Sequence, residues 1–190
     1  MSQLPNIETP RLFLTWPNRS QIHQYYHDII GTDIFDTLLW DGPSGVEDLE
    51  NYWKECRLID SHDFSLPLGL AIIHKETLEF IGGISLRPVN KDCQFIDIGY
   101  ALAKKFHGKG YGSEAVGALV DHAFEAREAQ RIFATVFTFN PASKRVLEKV
   151  GFKYEGTLRH CVKKQGVWSD EWLFAITRPD WTEASSLDTV

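Results

Sequence analysis

The sequence lacks any cysteine pair at metal-binding or redox spacing. Its three cysteines, Cys56, Cys93 and Cys161, are odd in number and far apart, so neither a disulfide framework nor a zinc knuckle is indicated, and reduced, buried thiols are expected. An H-E-x-x-H motif is also missing. His23 and His27 stand four apart on an expected helix, a spacing able to hold zinc, but without a third ligand nearby they read as a surface or cleft-lining pair, and no metal is expected. No apolar run approaches the roughly 18 residues a membrane helix needs, and the polar start has no signal-peptide core, which points to a cytoplasmic protein without a membrane partner. Nor is there an excess of positive charge. A net charge of -6 and a pI near 5.6 argue against a nucleic-acid partner and fit a cationic small molecule or an amine.

What is present is a chain of 190 residues with 43% hydrophobic and 24% charged residues, enough for one packed domain. The expectation is a single domain over 1–181 and a polar tail over 182–190 with no packing signal, as a monomer or homodimer.

The centre of the chain is residues 94–115. Their first half is β-branched, aromatic and aliphatic and predicts a strand. Then Gly108, Gly110 and Gly112 fall within five residues, just before a helix. Such a loop takes positive φ, lets a ligand approach without Cβ atoms in the way, and aims several N–H groups at one spot beside the positive end of a helix dipole. A phosphate is the expected guest, and Lys104, Lys105, His107 and Lys109 make the loop locally basic. A glycine-rich turn with a solvated lysine face is the plain alternative.

Before the loop, residues 11–16 read as a strand, 20–30 as a helix and 31–45 as a loop that holds Trp40. Ser44 and Glu47 fit a capping box for a helix that places Leu49, Tyr52, Trp53, Cys56 and Ile59 on one face. Three strand-like runs, 68–74, 80–87 and 93–103, are joined by connections too short for a crossover helix and should form an antiparallel meander. After the loop, Val116, Leu119, Val120, Ala123 and Phe124 recur at helical spacing, and 132–138 is the next strand, parallel to the last of the meander. Asn140-Pro141-Ala142-Ser143 starts a helix that Gly151 closes, and 152–159 and 168–178 form a final pair.

These residues together resemble the GNAT superfamily of acyl-CoA-dependent N-acetyltransferases, and within it the RimJ/RimL branch that acetylates N-terminal amines of ribosomal proteins. The resemblance rests on Glu8-Thr9-Pro10-Arg11-Leu12, Asp97-Ile98-Gly99-Tyr100 and His107 to Ala115. It continues with Asn140-Pro141-Ala142-Ser143, Gly151-Phe152, Glu155-Gly156 and Asp170. It implies an α+β fold with a mixed, mainly antiparallel twisted sheet of about seven strands, splayed between strands four and five and flanked by about four helices. Acetyl-CoA would lie in the opening, with pantetheine against the backbone of Tyr100, Ala101 and Leu102 and pyrophosphate against the amides of Gly108, Lys109, Gly110, Tyr111, Gly112 and Ser113. His107 stands where Gln or Arg is usual in the loop motif; Asn140, Lys144 and Arg145 complete the expected cofactor set.

Acetyl transfer needs a neutral amine, a polarised carbonyl and a proton for the leaving thiolate. Asp97 is the candidate base, with a salt-bridged strand carboxylate as the alternative, and a backbone N–H near residues 101–103 is the candidate oxyanion donor. The tyrosine donor usual in the helix after Asn140 is replaced by Leu147, whereas Ser143 matches the serine of the RimL-type branch, its alternative being a simple helix-start preference. The glutamate of that branch aligns at Val162, which leaves the acceptor open between a protein N-terminal α-amine and a small amine. Tyr25, Tyr26, Trp40, His160 and Trp168 are the acceptor-site candidates. Two rivals are a non-catalytic acyl-CoA-binding module on the same fold and a dinucleotide-binding protein, since residues 110–115 also satisfy G-x-G-x-x-A.

Overall fold

A computed structural model describes residues 6–58, 63, 65–90 and 94–187. Eight strands form one sheet in the order β1-β2-β3-β4-β5-β6-β8-β7. In chain order they are β1 (Ile7–Glu8), β2 (Leu12–Thr15), β3 (Leu68–His74), β4 (Phe80–Asn90), β5 (Phe95–Leu102), β6 (Arg131–Phe137), β7 (Lys153–Lys164) and β8 (Val167–Thr177). Every neighbouring pair is antiparallel except β5 and β6. The expected meander is β3-β4-β5, and the single parallel crossover runs through α3 (Tyr111–Glu125). An antiparallel approach to the glycine loop removes the first half of the βαβαβ frame that a dinucleotide site uses. The eighth strand is β1, whose two residues are too few to leave a pattern in the sequence.

The core follows from periodicity. β3 is buried at all seven positions because sheet neighbours flank it and both its faces are covered. In α3, Ala115, Val116, Leu119, Val120, Ala123 and Phe124 form a fully buried stripe at helical spacing. Helices α1 (Arg19–Ile29) and α2 (Val46–Leu58) contribute Ile22, Tyr25, Ile29, Leu49, Trp53 and Cys56 to the same cluster. Helix α4 (Pro141–Val150) starts as expected, with the Asn140 side chain accepting from Ser143 N at 3.1 Å, and ends at Gly151 with φ 99°.

Several local expectations are corrected. Ser44 bonds Asp48 through its N–H at 2.8 Å and its hydroxyl at 2.6 Å, so the partner is one residue beyond Glu47. Tyr52 is half exposed on the flank of the α2 stripe, because its spacing from Leu49 and Cys56 turns it toward the helix edge. Ile59 and Cys93 lie outside the described residues. Cys56 is buried, but Cys161 is exposed on β7.

Helix α5 (Arg178–Leu187) reaches into the polar stretch that begins at residue 182, and Trp181 stacks on Phe124 with centroids 5.3 Å apart while its Nε1 donates to Asp121 at 2.8 Å. Thr177 and Asp180 start this helix reciprocally: Asp180 Oδ2 accepts from Thr177 N at 3.0 Å, and Asp180 N donates to Thr177 Oγ1 at 3.4 Å.

Bonds from Lys153 and Thr177 hold the Asp180 carboxyl at about 2, below its ordinary 3.8. A depressed carboxyl contributes stability that is present above its unfolded value and lost as pH falls through its folded value. Asp180→Asn should therefore lower Tm by about 2–4 °C near pH 6, since a cap is worth about 1 kcal/mol. Thermal unfolding should show the gap between the two proteins closing from about pH 4 to about pH 2.

Candidate active site

The sheet opens at one seam. β5 and β6 pair only at Phe95↔Arg131, Ile96↔Ile132 and Asp97↔Phe133, whereas β5 continues against β4 to Leu102↔Gly82 and β6 continues against β8 to Phe137↔Glu171. The edge of β5 beyond Asp97 therefore has no strand beside it. Tyr100, Ala101 and Leu102 lie on this edge, where backbone groups other than the Leu102 carbonyl, which His107 meets, offer an extended ligand the hydrogen bonds of an added strand. Ala103, at its end, is not free to hold an oxyanion, because its N–H donates to Ile81 O at 2.9 Å.

The glycine loop lies at the mouth of this seam. Gly108 and Gly110 adopt φ of 72° and 83°, and the first helical bond of α3 runs from Glu114 N to Gly110 O at 3.1 Å. The amides of Tyr111, Gly112 and Ser113 precede that bond, so they have no helical acceptor and point out at the positive end of the dipole. At Gly110 a Cβ would lie 3.3 Å from the Arg11 guanidinium, in a conformation side chains avoid; at Gly112 it would meet Val146 at an ordinary 3.5 Å.

The first strands pin the loop in place. Glu114 Oε1 accepts from Thr9 Oγ1 at 2.6 Å and Arg11 N at 2.9 Å, and its Oε2 accepts from Arg11 Nε at 2.6 Å. The same guanidinium donates to Lys109 O at 3.0 Å and lies 4.5 Å from the centre of the Tyr111 ring. Burial alone would raise the Glu114 carboxyl, yet the bonds from Thr9 and Arg11 outweigh it and leave the group below its ordinary value.

The basic residues of the loop are mostly engaged elsewhere. Lys104 pairs with Asp33 at 2.5 Å, and Lys105 with Asp28 at 2.9 Å and Glu79 at 3.1 Å. His107 turns back, with its Nε2 2.8 Å from Leu102 O, so its ring does not face the cradle. Lys109 packs over Phe106, Lys144 lies 5.0 Å from the Trp172 ring, and Arg145 is exposed in the first turn of α4. The outward-facing donors left at the loop are thus chiefly backbone amides. An open groove of about 760 Å³ leads from Lys109, Gly110 and Ser113 past Gly117 to Lys149 and Gly151.

Two hydroxyls meet at the inner end of the seam. Tyr100 Oη on β5 lies 2.7 Å from Ser143 Oγ and 3.1 Å from Ser143 O on α4, and burial pushes the phenol up to about 12. Leu147, where a tyrosine was the alternative, is fully buried. Asp97 faces Arg87 across the β4–β5 pair and accepts two guanidinium bonds on Oδ2, at 2.6 and 3.0 Å. Its expected strand position holds, and the ion pair with Arg87 is the salt-bridged strand carboxylate expected as the alternative to a base.

The acceptor candidates divide. Tyr25 is 6% exposed and stacks on Phe80 with centroids 4.1 Å apart, and burial raises its phenol, so it is a core residue rather than an acceptor contact. Tyr26 is half-buried against the core, its ring edge-on to His27. Trp40, His160 and Trp168 are exposed and gather at the β7–β8 hairpin: His160 stacks on Trp168, and Lys164 ties the Trp40 loop to the hairpin through Asp41 at 2.8 Å. His23 bonds Glu50 at 2.5 Å. Among the described residues no group of three or more His, Cys, Asp or Glu is placed to hold a metal ion, and no helix is long and apolar enough to cross a membrane.

With this geometry in hand, comparison with known proteins shows that the family described as "Acetyltransferase (GNAT) domain" matches residues 11–153. The Bacillus subtilis protein named Probable N-acetyltransferase YjcK is 46% identical over 101 residues, 53% of this chain and 56% of that protein. The Escherichia coli [ribosomal protein uS5]-alanine N-acetyltransferase is 34% identical over 85 residues, 45% of this chain and 44% of that protein. The chain thus spans about half the length of the curated relatives it matches. In structure it resembles Mycobacterium smegmatis RimJ in complex with CoA-disulfide, with a TM-score of 0.76 at 24% identity, covering 93% of this chain and 88% of that one.

Glu114→Ala removes the acceptor of three bonds that join β2 and its approach to the loop. Hydrogen bonds to a charged group are worth about 1.5–3 kcal/mol, and Arg11 is half exposed, so a net loss of about 2 kcal/mol is expected. Thermal unfolding should show Tm lower by about 4–8 °C. Amide exchange should quicken at residues 108–113 ahead of the core of α3.

Proposed function

Because the chain belongs to the GNAT acetyltransferase family, we propose that it transfers the acetyl group of acetyl-CoA to a primary amine bound at the same time. One observation carries this reading: a seam where β5 has lost its parallel neighbour leads into a loop whose orphan amides face outward. The residues present fit coenzyme A, since the cradle at Gly110 is free of side chain and a Cβ there would close on Arg11. The amides of residues 108–113 hold the pyrophosphate, the edge of β5 at Tyr100 to Leu102 holds the pantetheine, and the groove toward Lys149 takes the nucleotide end. When bound, acetyl-CoA supplies an activated acyl group and a thiol leaving group.

The chain's own groups then manage protons. Ser143 is the donor to the leaving sulfur. A phenol held near 12 stays protonated across the neutral range, and when its one hydrogen goes to Ser143 Oγ rather than to Ser143 O, the serine hydrogen is free to point into the seam. Asp97 has one carboxylate oxygen taken by Arg87, which weakens it as the group that relieves the amine of its proton. An α-amine, with a pKa near 8, is neutral in roughly a tenth of molecules at pH 7, so it needs less help than a lysine at about 10.4. That favours an α-amine acceptor, either a protein N-terminus or a small molecule, with the exposed Trp40, His160 and Trp168 rings flanking its side chain. The relative that acts on ribosomal protein uS5 points to the first. The place of action is the cytoplasm, where acetyl-CoA and reduced thiols are found together. A non-catalytic acyl-CoA-binding module is the second reading, favoured by the buried Leu147 where a tyrosine donor is usual.

Thiol release from acetyl-CoA with a panel of N-terminal peptides and small amines separates the two readings. Ser143→Ala and Tyr100→Phe are expected to lower turnover by about 10- to 100-fold while CoA affinity by calorimetry changes less than about twofold. Equal losses of turnover and affinity would reduce Ser143 to a helix-start residue. Gly110→Val should abolish CoA binding with the fold intact by circular dichroism, because φ 83° excludes a β-branched side chain.

A further inference from the structure

Among the described residues three polar or charged side chains are buried: His74, Arg127 and Glu171. His74 is bonded to Tyr111 and Thr77, and Arg127 donates to Leu66 O. Glu171, 8% exposed, differs. Among the described residues its carboxylate has one polar neighbour within bonding reach, the Cys161 thiol, whose Sγ lies 3.7 Å from Oε2. Neither carboxylate oxygen is among the atoms sealed from solvent without a partner, so the buried residue keeps a charged tip that still touches water.

Its place in the sheet tells what it faces. Asp97 pairs with Phe133, and Phe137, four residues further along β6 and so on the same face, pairs with Glu171. Glu171 therefore lies on the face of the sheet that carries Asp97, past the point where β5 and β6 separate. Between them on that face Thr135 is exposed, so this side of the seam is open. The neighbouring strand is deformed to complete the spot. Leu158 faces Glu171 and Val162 faces Ser169, so four steps along β7 match two along β8. At this bulge His160 takes φ 53° and donates its N–H to Asp170 Oδ1 at 2.7 Å, which aims Cys161 at Glu171.

We propose that Glu171, with Cys161 beside it, is the subsite that receives the acceptor as a primary ammonium ion and takes its proton. It rests on the acetyltransferase reading and adds the charge state of the substrate and the group that neutralises it. The ammonium gives one proton to the Glu171 carboxylate and becomes a neutral amine. The C–N bond then forms as the C–S bond breaks; the sulfur leaves as a thiol with the proton Ser143 provides, and the second amine proton restores the serine through the Tyr100 pair and water. Glu171 finally releases its proton to solvent, so one ammonium and one thioester yield one amide, one thiol and one proton.

The test compares the full chain with Glu171→Gln and Glu171→Asp, using acetyl-CoA with a peptide bearing an N-terminal alanine and with n-butylamine. With turnover present, Glu171→Gln is expected to lower kcat/KM by about 100-fold with KM for the amine raised, CoA affinity within about twofold and partial rescue by Glu171→Asp. Retention of kcat/KM within about threefold overturns the proposal. A second measurement does not need turnover: alkylation of Cys161 by iodoacetamide at pH 8, followed by peptide mass. Removing the adjacent charge should speed it by about two- to fivefold, and n-butylammonium, which neutralises the same charge, should speed it in the parent protein but not in Glu171→Gln. If neither probe is acetylated but this acceleration is seen, the ammonium subsite stands while the acetyltransferase reading fails. No acceleration by the amine and no change in alkylation rate on substitution overturn the subsite whatever the turnover, and melting curves of both variants confirm that they are folded.

Discussion

The structure depends on a constraint in one pair of strands: β5 and β6 run parallel for three residues and then part. A backbone polar group without a partner is costly when buried, so a sheet that stops pairing in its middle must let water or a ligand into the gap. Each strand is held apart by a stronger commitment on its other side, β5 to the tight β3–β4–β5 meander and β6 to seven consecutive pairs with β8. The opening is therefore set by register along whole strands rather than by any residue in it. What fills its inner end, the Tyr100–Ser143 contact, joins the two sides without closing the backbone edge.

The anion site owes more to geometry than to charge. Three lysines and a histidine cluster around the loop in sequence, yet Lys104 and Lys105 pair with acidic groups from other segments and His107 caps the β5 carbonyl at Leu102. Oriented amides at the start of α3 remain, and they are useful only if the loop is fixed before the ligand arrives. Thr9 and Arg11 supply that fixation through Glu114, from more than 100 residues away in the chain. Thus the Glu-Thr-Pro-Arg-Leu segment of residues 8–12, which has no chemistry of its own, matters to the glycine loop through what it holds in place.

The parts legible in the sequence were those with local causes. Glycines ahead of a helix, an Asn-Pro helix start, a glycine stop and short links between strand-like runs each act over a few residues, and each appears in the fold. Features made by distant partners were not legible. Arg87 opposite Asp97 depends on strand register, the burial of Tyr25 depends on Phe80, and the α5 helix depends on Trp181 finding Phe124. Glu171 was missed because the signal beside it, Asp170, matched a family pattern, whereas the bulge that sets Cys161 beside it comes from a two-residue mismatch between strands that alternation cannot reveal.

A hydroxyl beside the leaving sulfur is a requirement of the chemistry, not of any one position in the chain. In this fold Leu147, at the end of the second turn of α4, faces the core and is fully buried, and a phenol there would need a hydrogen-bond partner inside an apolar cluster. Placing the phenol on β5 instead gives Tyr100 an apolar ring environment and a polar tip directed at the first turn of α4. Ser143 meets that tip at 2.7 Å, and on the proposed reading its short side chain takes the place of a tyrosine from the helix. The same logic applies to the carboxylate. With the Asp97 carboxylate committed to Arg87 on β5, the carboxylate on the other side of the opening is Glu171 on β8, and the proposed ammonium subsite rests on that difference.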